Sequence, residues 1–516
     1  MDDARETPAG FFRRTWKLWA ALVIAYALVA AALPPMDDEV YYWSWSKTPQ
    51  LSYYDHPGMT AWLIWLSTQL FGDTILGMRF PACVCVAFTL AVIAFLSQRV
   101  TQSPPMASAG PILLGVTLTP LFTFGGILIT PDAPLIACWS AYMLWMVLIQ
   151  ETLVMGLHVP ESSKGVVFYE RPRPSQSLRD VPPKSYWVWW IIGGVLLGLG
   201  GLSKYTMVLA VPAGFFSCVM SGLPWRRWFA GYLLHGVVAV TVASPILIYN
   251  AQHNFEPLLF QWRHAMHDEP ATLITFVEFF GVQFLLFGTL PLYLIPWTAR
   301  HFGHFSPRLR VCSAFYLVPL AFFLYKATRT ELEGNWGLVA FLSVWPVAAA
   351  WYETVRASRR WRWLTAASFL APAVAVIGLT AILVTPASLL PVQLDRLSKQ
   401  HARWEMSQQL AAAIHARNEV IPTFTNTYQM TALLRFHGVD ARQEGDSRPS
   451  HYTFPAQSVF DCDAAYFVSD ADENPLVSIS HNPTLIGTFP ISVRGEIVKQ
   501  YLLWRVDRRS VLAPHQ

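Results

Sequence analysis

Three consecutive carboxylates, Asp37, Asp38 and Glu39, stand directly after an apolar stretch, and Tyr41, Tyr42 and Trp43 follow them. Ionised groups next to hydrocarbon are expensive, so such a triplet either marks function or is a solvated loop that resists insertion. A second group, Tyr53-Tyr54-Asp55-His56-Pro57, sets an imidazole beside a carboxylate and a rigid proline. Side chains of these types take and give protons near neutral pH, which is the work of a general base or acid.

Further polar residues recur at the ends of apolar runs. Thr130-Pro131-Asp132-Ala133-Pro134 forms a turn in which Asp132 either caps the next helix or serves chemistry. Lys204, in Gly-Leu-Ser-Lys-Tyr-Thr between two apolar stretches, either clamps a phosphate or snorkels to the headgroups. Asn250, Gln252 and His253 follow another run. Lys326, Arg329, Glu331, Glu333, Asn335 and Trp336 make a mixed loop that suits an anionic ligand or pairs internally. Gly-x-x-x-x-Gly-Lys-Ser/Thr, His-Glu-x-x-His and Gly-x-Ser-x-Gly motifs are all missing, so ATP-driven transport and zinc or serine hydrolysis lack their usual signatures. Asp461-Cys462-Asp463 imitates the Asp-x-Asp of nucleotide-sugar enzymes, a weak signal on its own.

The elements that position these residues follow from composition. Of 516 residues, 53% are hydrophobic and only 14% charged, with a mean hydropathy of +0.35, which is the profile of an integral membrane protein. The net charge of +4 resides in short clusters between apolar runs and not in one stripe, so no nucleic-acid partner is expected. A bilayer core needs about 20 apolar residues per helix. About eleven spans are expected: 17–33, 76–96, 107–130, 133–153, 186–203, 205–220, 228–248, 273–297, 311–325, 336–351 and 363–384. The first reads as an uncleaved span in preference to a signal peptide, because many longer apolar runs follow. The shorter run 58–72 suits a helix lying in the interface.

Arg and Lys clusters fix the expected orientation. Arg99, the 164–184 group, Arg226 and Arg227, the 300–310 group and the 356–362 group all fall on the side that also holds the N-terminus, which the rule makes cytoplasmic. The acidic triplet, Lys204 and the 326–336 loop then lie outside. From about Pro386 hydropathy drops, dividing the chain into a membrane module, 1–385, and a small extracytoplasmic α/β domain, 386–516. In that domain 394–416 and 427–436 read as helices, and 420–425, 464–469, 484–489 and 496–506 as strands. Cys462 stands alone there, so no disulfide framework or zinc spacing is available.

The stretches Asp38-Glu39-Val40-Tyr41-Tyr42-Trp43 and Tyr54-Asp55-His56-Pro57-Gly58 resemble the first outer loop of GT-C glycosyltransferases related to protein O-mannosyltransferases. The resemblance is greatest to the bacterial group of lipopolysaccharide-core galacturonosyltransferases and, more distantly, lipid A aminoarabinose transferases. Thr130 to Pro134, Gly198 to Thr206, Pro245 to His253, Gln283, Asn335-Trp336 and Tyr428-Gln429 extend it, and Gly58 departs from it where the group has a second proline. The resemblance implies a polyprenyl-phosphate sugar donor, a lipid or glycolipid acceptor hydroxyl, and transfer with inversion at the outer membrane face. It makes Asp38 the base, with Glu39 and Asp55 orienting it or the acceptor. Lys204, with Lys326 or Arg329, would hold the phosphate, and His56, Asp132, Asn250, His253, Asn335, Tyr428 and Gln429 are the other expected substrate-binding positions. No metal ligand is implied, although acidic outer loops can bind a divalent cation. The alternative is a transporter or flippase of a lipid-linked sugar, against which stand the lack of two similar halves and the gathering of charge at span ends.

Overall fold

The computed structural model describes residues 6–101, 109–155, 186–266, 273–330, 332–384, 391–392, 395–444, 450–453, 462–471 and 483–507. The chain forms two compact units, Met1–Val29 with His56–Thr60 and Arg79–Ile377, and Ala30–Asp55 with Ala61–Met78 and Gly378–Gln516.

The first unit is helical. Among the described residues, seven helices are long and apolar enough to cross a membrane, and nine if two bent pairs each count as one span. The expected number of eleven is not reached on that measure, for local reasons. The 107–130 stretch contains Ala109–Thr117 and Pro120–Phe124, each far below the spanning length, with extended Thr119 and the ring of Pro120 between them. The 273–297 stretch bends by 101° between Ile274–Phe287 and Leu290–His304. Gly288 at the bend has φ +78°, and a Cβ there would lie 2.0 Å from the Ser368 carbonyl oxygen, so the position requires glycine. A 47° bend separates Phe229–Val242 from Ser244–Gln252, and Tyr205–Met220 is apolar but short.

Packing in this unit uses small residues and satisfied polar groups, as helix association in lipid requires. Helix Tyr186–Ser203 meets Phe229–Val242 through Gly194 and Gly198, whose added Cβ atoms would lie 2.6 Å from the His235 oxygen and from Val242 Cβ. At the centre, Trp139 Nε1 donates to Ser343 Oγ at 2.8 Å. Helix Leu338–Val355 is buried along most of its length, whereas Pro8–Ala32 presents Trp16, Leu18, Ile24 and Leu28 outward.

The second unit holds a five-stranded sheet in the order β2-β1-β3-β5-β4. Its strands are β1 (Thr423–Thr425), β2 (Ala441–Gln443), β3 (Ala464–Asp470), β4 (Thr484–Val493) and β5 (Glu496–Asp507). Strands β2, β1 and β3 are parallel, and β5 and β4 add antiparallel. Alternation along β3 and β5 sends Tyr466, Val468 and Leu503 onto one face, covered by Met406 and Leu410 of helix Arg396–His415 and by Met430 and Leu434 of helix Tyr428–Phe436. Phe424, Ala465, Phe467 and Val506 form a smaller core on the other face. The four strands and two helices expected from sequence are all present. β2 was not expected, since three residues of Ala-Arg-Gln carry no strand pattern. Helix Asp37–Ser46, which bears the acidic triplet, belongs to this same unit. Helix Met59–Phe71 is 13 residues long and exposes Trp65, Leu66 and Leu70, which suits the interfacial position expected of it.

Candidate functional site

Pro34 and Pro35 end the preceding extended turn, and Asp37, Asp38 and Glu39 open the next helix, where carboxylates favour the positive end of the dipole. The structure separates the three by environment. Glu39 is 1% exposed and its Oε2 accepts the Met36 N–H at 2.9 Å, so it caps the helix. Asp37 is also buried: one carboxylate oxygen accepts from Gln400 Nε2 and the other from Arg403 Nη1. Burial works against the Arg403 charge, but the Asp37 carboxylate and neighbouring groups outweigh it and hold the guanidinium above its ordinary range. Asp38 alone of the triplet is exposed, and the Tyr428 hydroxyl donates to its Oδ1 at 3.2 Å. Tyr428 opens its own helix, capped by Thr427 Oγ1 accepting from Met430 N, and Gln429 beside it is half-buried.

Behind this surface lies a buried polar layer. The Tyr41 hydroxyl donates to Asp55 Oδ2 at 2.7 Å and accepts the His451 N–H at 2.8 Å. Burial first, then the Asp55 charge, push the Tyr41 hydroxyl well above its ordinary value, so it remains protonated. Ser44 Oγ and the Tyr452 hydroxyl lie 2.5 Å apart, and Trp45 stacks on Tyr53 with ring centroids at 4.7 Å. Asp55, an expected catalytic residue, is 4% exposed and serves Tyr41.

In the first unit, a second group converges. Helix Tyr186–Ser203 ends where Lys204 turns extended, at φ −157° and ψ 141°, and its Nζ reaches Asp132 Oδ1 at 2.8 Å. Asn335 Nδ2 takes the other oxygen, Oδ2, also at 2.8 Å. Gln283 Nε2 holds the adjoining Gly334 carbonyl at 2.8 Å. Three expected substrate-binding residues from distant parts of the chain are thus brought together, with Asp132 as the bridge. At the opposite end of the Asp132–Met155 helix, Glu151 accepts from Arg99 Nη2 at 2.6 Å and pairs with Arg308.

Asn250 is fully buried, its Oδ1 accepting Leu258 N at 2.9 Å, and so closes the turn in which Asn254 and Phe255 take φ of 53° and 58°. His253 Nδ1 lies 2.8 Å from the Tyr249 carbonyl. Lys326 is buried at the end of helix Pro307–Ala327, Arg329 is exposed with its guanidinium 5.6 Å from the Tyr325 ring centroid, and His56 is half-buried. Asp461 lies outside the described residues, and among the described residues no three His, Cys, Asp or Glu side chains gather to hold a metal ion.

Sequence reasoning missed Gln400 and Arg403, whose helix carries only a mixed polar pattern, and His451, which nothing local marks. Arg79, which the sequence does not mark as a site residue, is 1% exposed in helix Ile75–Thr101. A guanidinium so buried is kept only where it is paired.

Comparison with known proteins adds to this geometry. A family model described as dolichyl-phosphate-mannose-protein mannosyltransferase matches residues 55–153 and 179–249. The lipid A galacturonosyltransferase RgtD of Rhizobium johnstonii is 23% identical over 402 residues, 75% of this chain and 74% of that one. Undecaprenyl phosphate-alpha-4-amino-4-deoxy-L-arabinose arabinosyl transferase 1 of Pseudomonas fluorescens is 23% identical over 294 residues, 53% of this chain and 44% of that one. Crystal structures of ArnT from Cupriavidus metallidurans superpose at 14% identity. The apo form gives a TM-score of 0.63 over 96% of this chain and 98% of its own, and the form bound to undecaprenyl phosphate gives 0.61 over 95% and 97%. The shared architecture is that of a polytopic helical membrane protein with a small additional sheet.

Proposed function

We propose that this chain is a GT-C-type glycosyltransferase of the cytoplasmic membrane, moving a sugar from a polyprenyl-phosphate donor to a hydroxyl of lipid A, the lipopolysaccharide core or a similar lipid. The reading is supported by the similarity to RgtD and to the aminoarabinose transferases, whose names specify lipid A and undecaprenyl phosphate. The observation that carries the chemistry is the sorting of the triplet: Asp37 and Glu39 are committed to Arg403 and to the helix cap, and Asp38 faces outward.

Asp38 is the general base. It accepts the acceptor hydroxyl proton as that oxygen bonds to the anomeric carbon, and the bond from that carbon to the phosphate oxygen breaks. Polyprenyl phosphate leaves, and the sugar inverts in this single displacement. Negative charge grows on the departing phosphate, which Lys204 is assigned to stabilise; a preset cation in a dry site does this without reorganisation.

The N-terminus is assigned to the cytoplasm and the domain 386–516 to the outer side. Two clusters in the first unit support the orientation of that unit's helices: Arg99, Glu151 and Arg308 meet at one helix end, and Asp132, Lys204 and Asn335 at the other, the division that charge counting requires.

The test is release of polyprenyl phosphate from a radiolabelled polyprenyl-phosphate sugar when acceptor lipid is added to the purified protein. General-base catalysis is worth about 10²–10⁴-fold, so Asp38→Asn should lose activity by about that factor while inserting normally. A fully active Asp38→Asn enzyme would remove Asp38 from the mechanism.

A further inference from the structure

The geometry points to the C-terminal domain as the element that positions the catalytic carboxylate, with Arg403 as the positioning residue acting through Asp37 and Tyr428 as a direct contact to Asp38. This rests on Asp38 being the base.

Four links carry it, all within the second unit. The β4–β5 turn is tight, with Arg494 at φ 53° and Gly495 at φ 83°, a conformation matched to hairpin twist. From that turn Arg494 Nη2 reaches Asp395 Oδ2 at 3.1 Å, while Asp395 Oδ1 accepts the Ser398 N–H at 3.0 Å and caps helix Arg396–His415. That helix presents Gln400 and Arg403, which take the two carboxylate oxygens of Asp37. Asp37 is bonded covalently to Asp38, at the first turn of helix Asp37–Ser46. Two planar groups on two oxygens leave the Asp37 carboxylate little freedom to rotate, so the first turn of that helix is set by the fold of the sheet. Lys499 of β5 pairs with Asp470 of β3, and both lie close enough to Arg403 to act on its charge directly or through each other.

Tyr428 acts on Asp38 itself. Its hydroxyl donates to Asp38 Oδ1 at 3.2 Å and so fixes the direction in which that carboxylate is held.

The experiment uses full-length enzyme in detergent, with kcat and donor KM measured across pH for Arg403→Gln, Arg403→Lys, Asp37→Asn and Tyr428→Phe. A misplacement near 1 Å costs about 10²-fold, so Arg403→Gln and Asp37→Asn should each lower kcat by about that factor, with donor KM within threefold. The double variant should lose little more than either single, because both remove one contact. Arg403→Lys should recover part of the loss. Tyr428→Phe should lower kcat by less than Arg403→Gln does, because it removes one exposed contact to Asp38 and leaves Asp37 held by Gln400 and Arg403. Should Arg403→Gln fail to accumulate, Asp37→Asn decides, and full kcat in that variant overturns the inference. Full kcat in Arg403→Gln beside an inactive Asp38→Asn overturns the positioning role and leaves the base intact. Full activity in Asp38→Asn overturns both.

Discussion

Removing the Lys204 charge, and separately that of its partner, distinguishes a phosphate-binding cation from a structural bridge. Lys204 and Asp132 side chains are 13% and 14% exposed, with 2.8 Å between Nζ and Oδ1. Exposed pairs are worth under about 1 kcal/mol and breaking a buried one costs about 3–5 kcal/mol, so either single substitution should cost about 2 kcal/mol, a fall of a few degrees in melting temperature. Their effects on the donor should differ in sign. Lys204→Gln deletes a charge-assisted bond to phosphate worth about 1.5–3 kcal/mol, so kcat/KM for the donor should drop about 10- to 150-fold. Asp132→Asn removes the carboxylate that competes with phosphate for the same ammonium, and donor KM should stay level or fall. The assay is donor titration at saturating acceptor, paired with thermal melts of the same preparations. Equal melting losses in both variants, with donor kcat/KM unchanged in Lys204→Gln, would refute phosphate binding by Lys204.

Three further outcomes are expected. Tyr41→Phe removes the hydroxyl that donates to the buried Asp55 carboxylate and accepts the His451 N–H, bonds worth about 0.5–3 kcal/mol each, so thermal melts should show a loss of stability. Glu151→Gln leaves Arg99 and Arg308 without their shared carboxylate, which is 7% exposed. It should lower stability in detergent by about 3–5 kcal/mol, with kcat per folded molecule unchanged. Burial, and then nearby His415, hold His437 below its ordinary pKa of 6.5, so the unfolded state binds that proton more readily. Its contribution to stability is present above pH 6.5 and is lost as pH falls below it. Hydrogen exchange of helix Arg396–His415 should accelerate on acidification, and His437→Gln should flatten that slope.

Sequence by itself determined the class of the molecule. Hydropathy marks where lipid must be met, because a segment without enough apolar length cannot remain in hydrocarbon, and each of the eleven apolar stretches contains helix among the described residues. Period-two alternation was enough to place β3, β4 and β5, and the first-loop motif was enough to single out the triplet. What sequence could not supply was continuity and allegiance. Whether 273–297 is one straight span depends on Gly288 meeting the Ser368 carbonyl of a distant helix. Which of three adjacent carboxylates faces outward depends on Arg403 and Gln400, far along the chain on a helix with no distinguishing pattern. Lys204 gains Asp132 and Asn335 as neighbours by the same kind of closure. Hydropathy and periodicity are properties of neighbours along the chain, so they report which surface a residue seeks; a carboxylate's partner is chosen by contacts that exist only once the chain has folded.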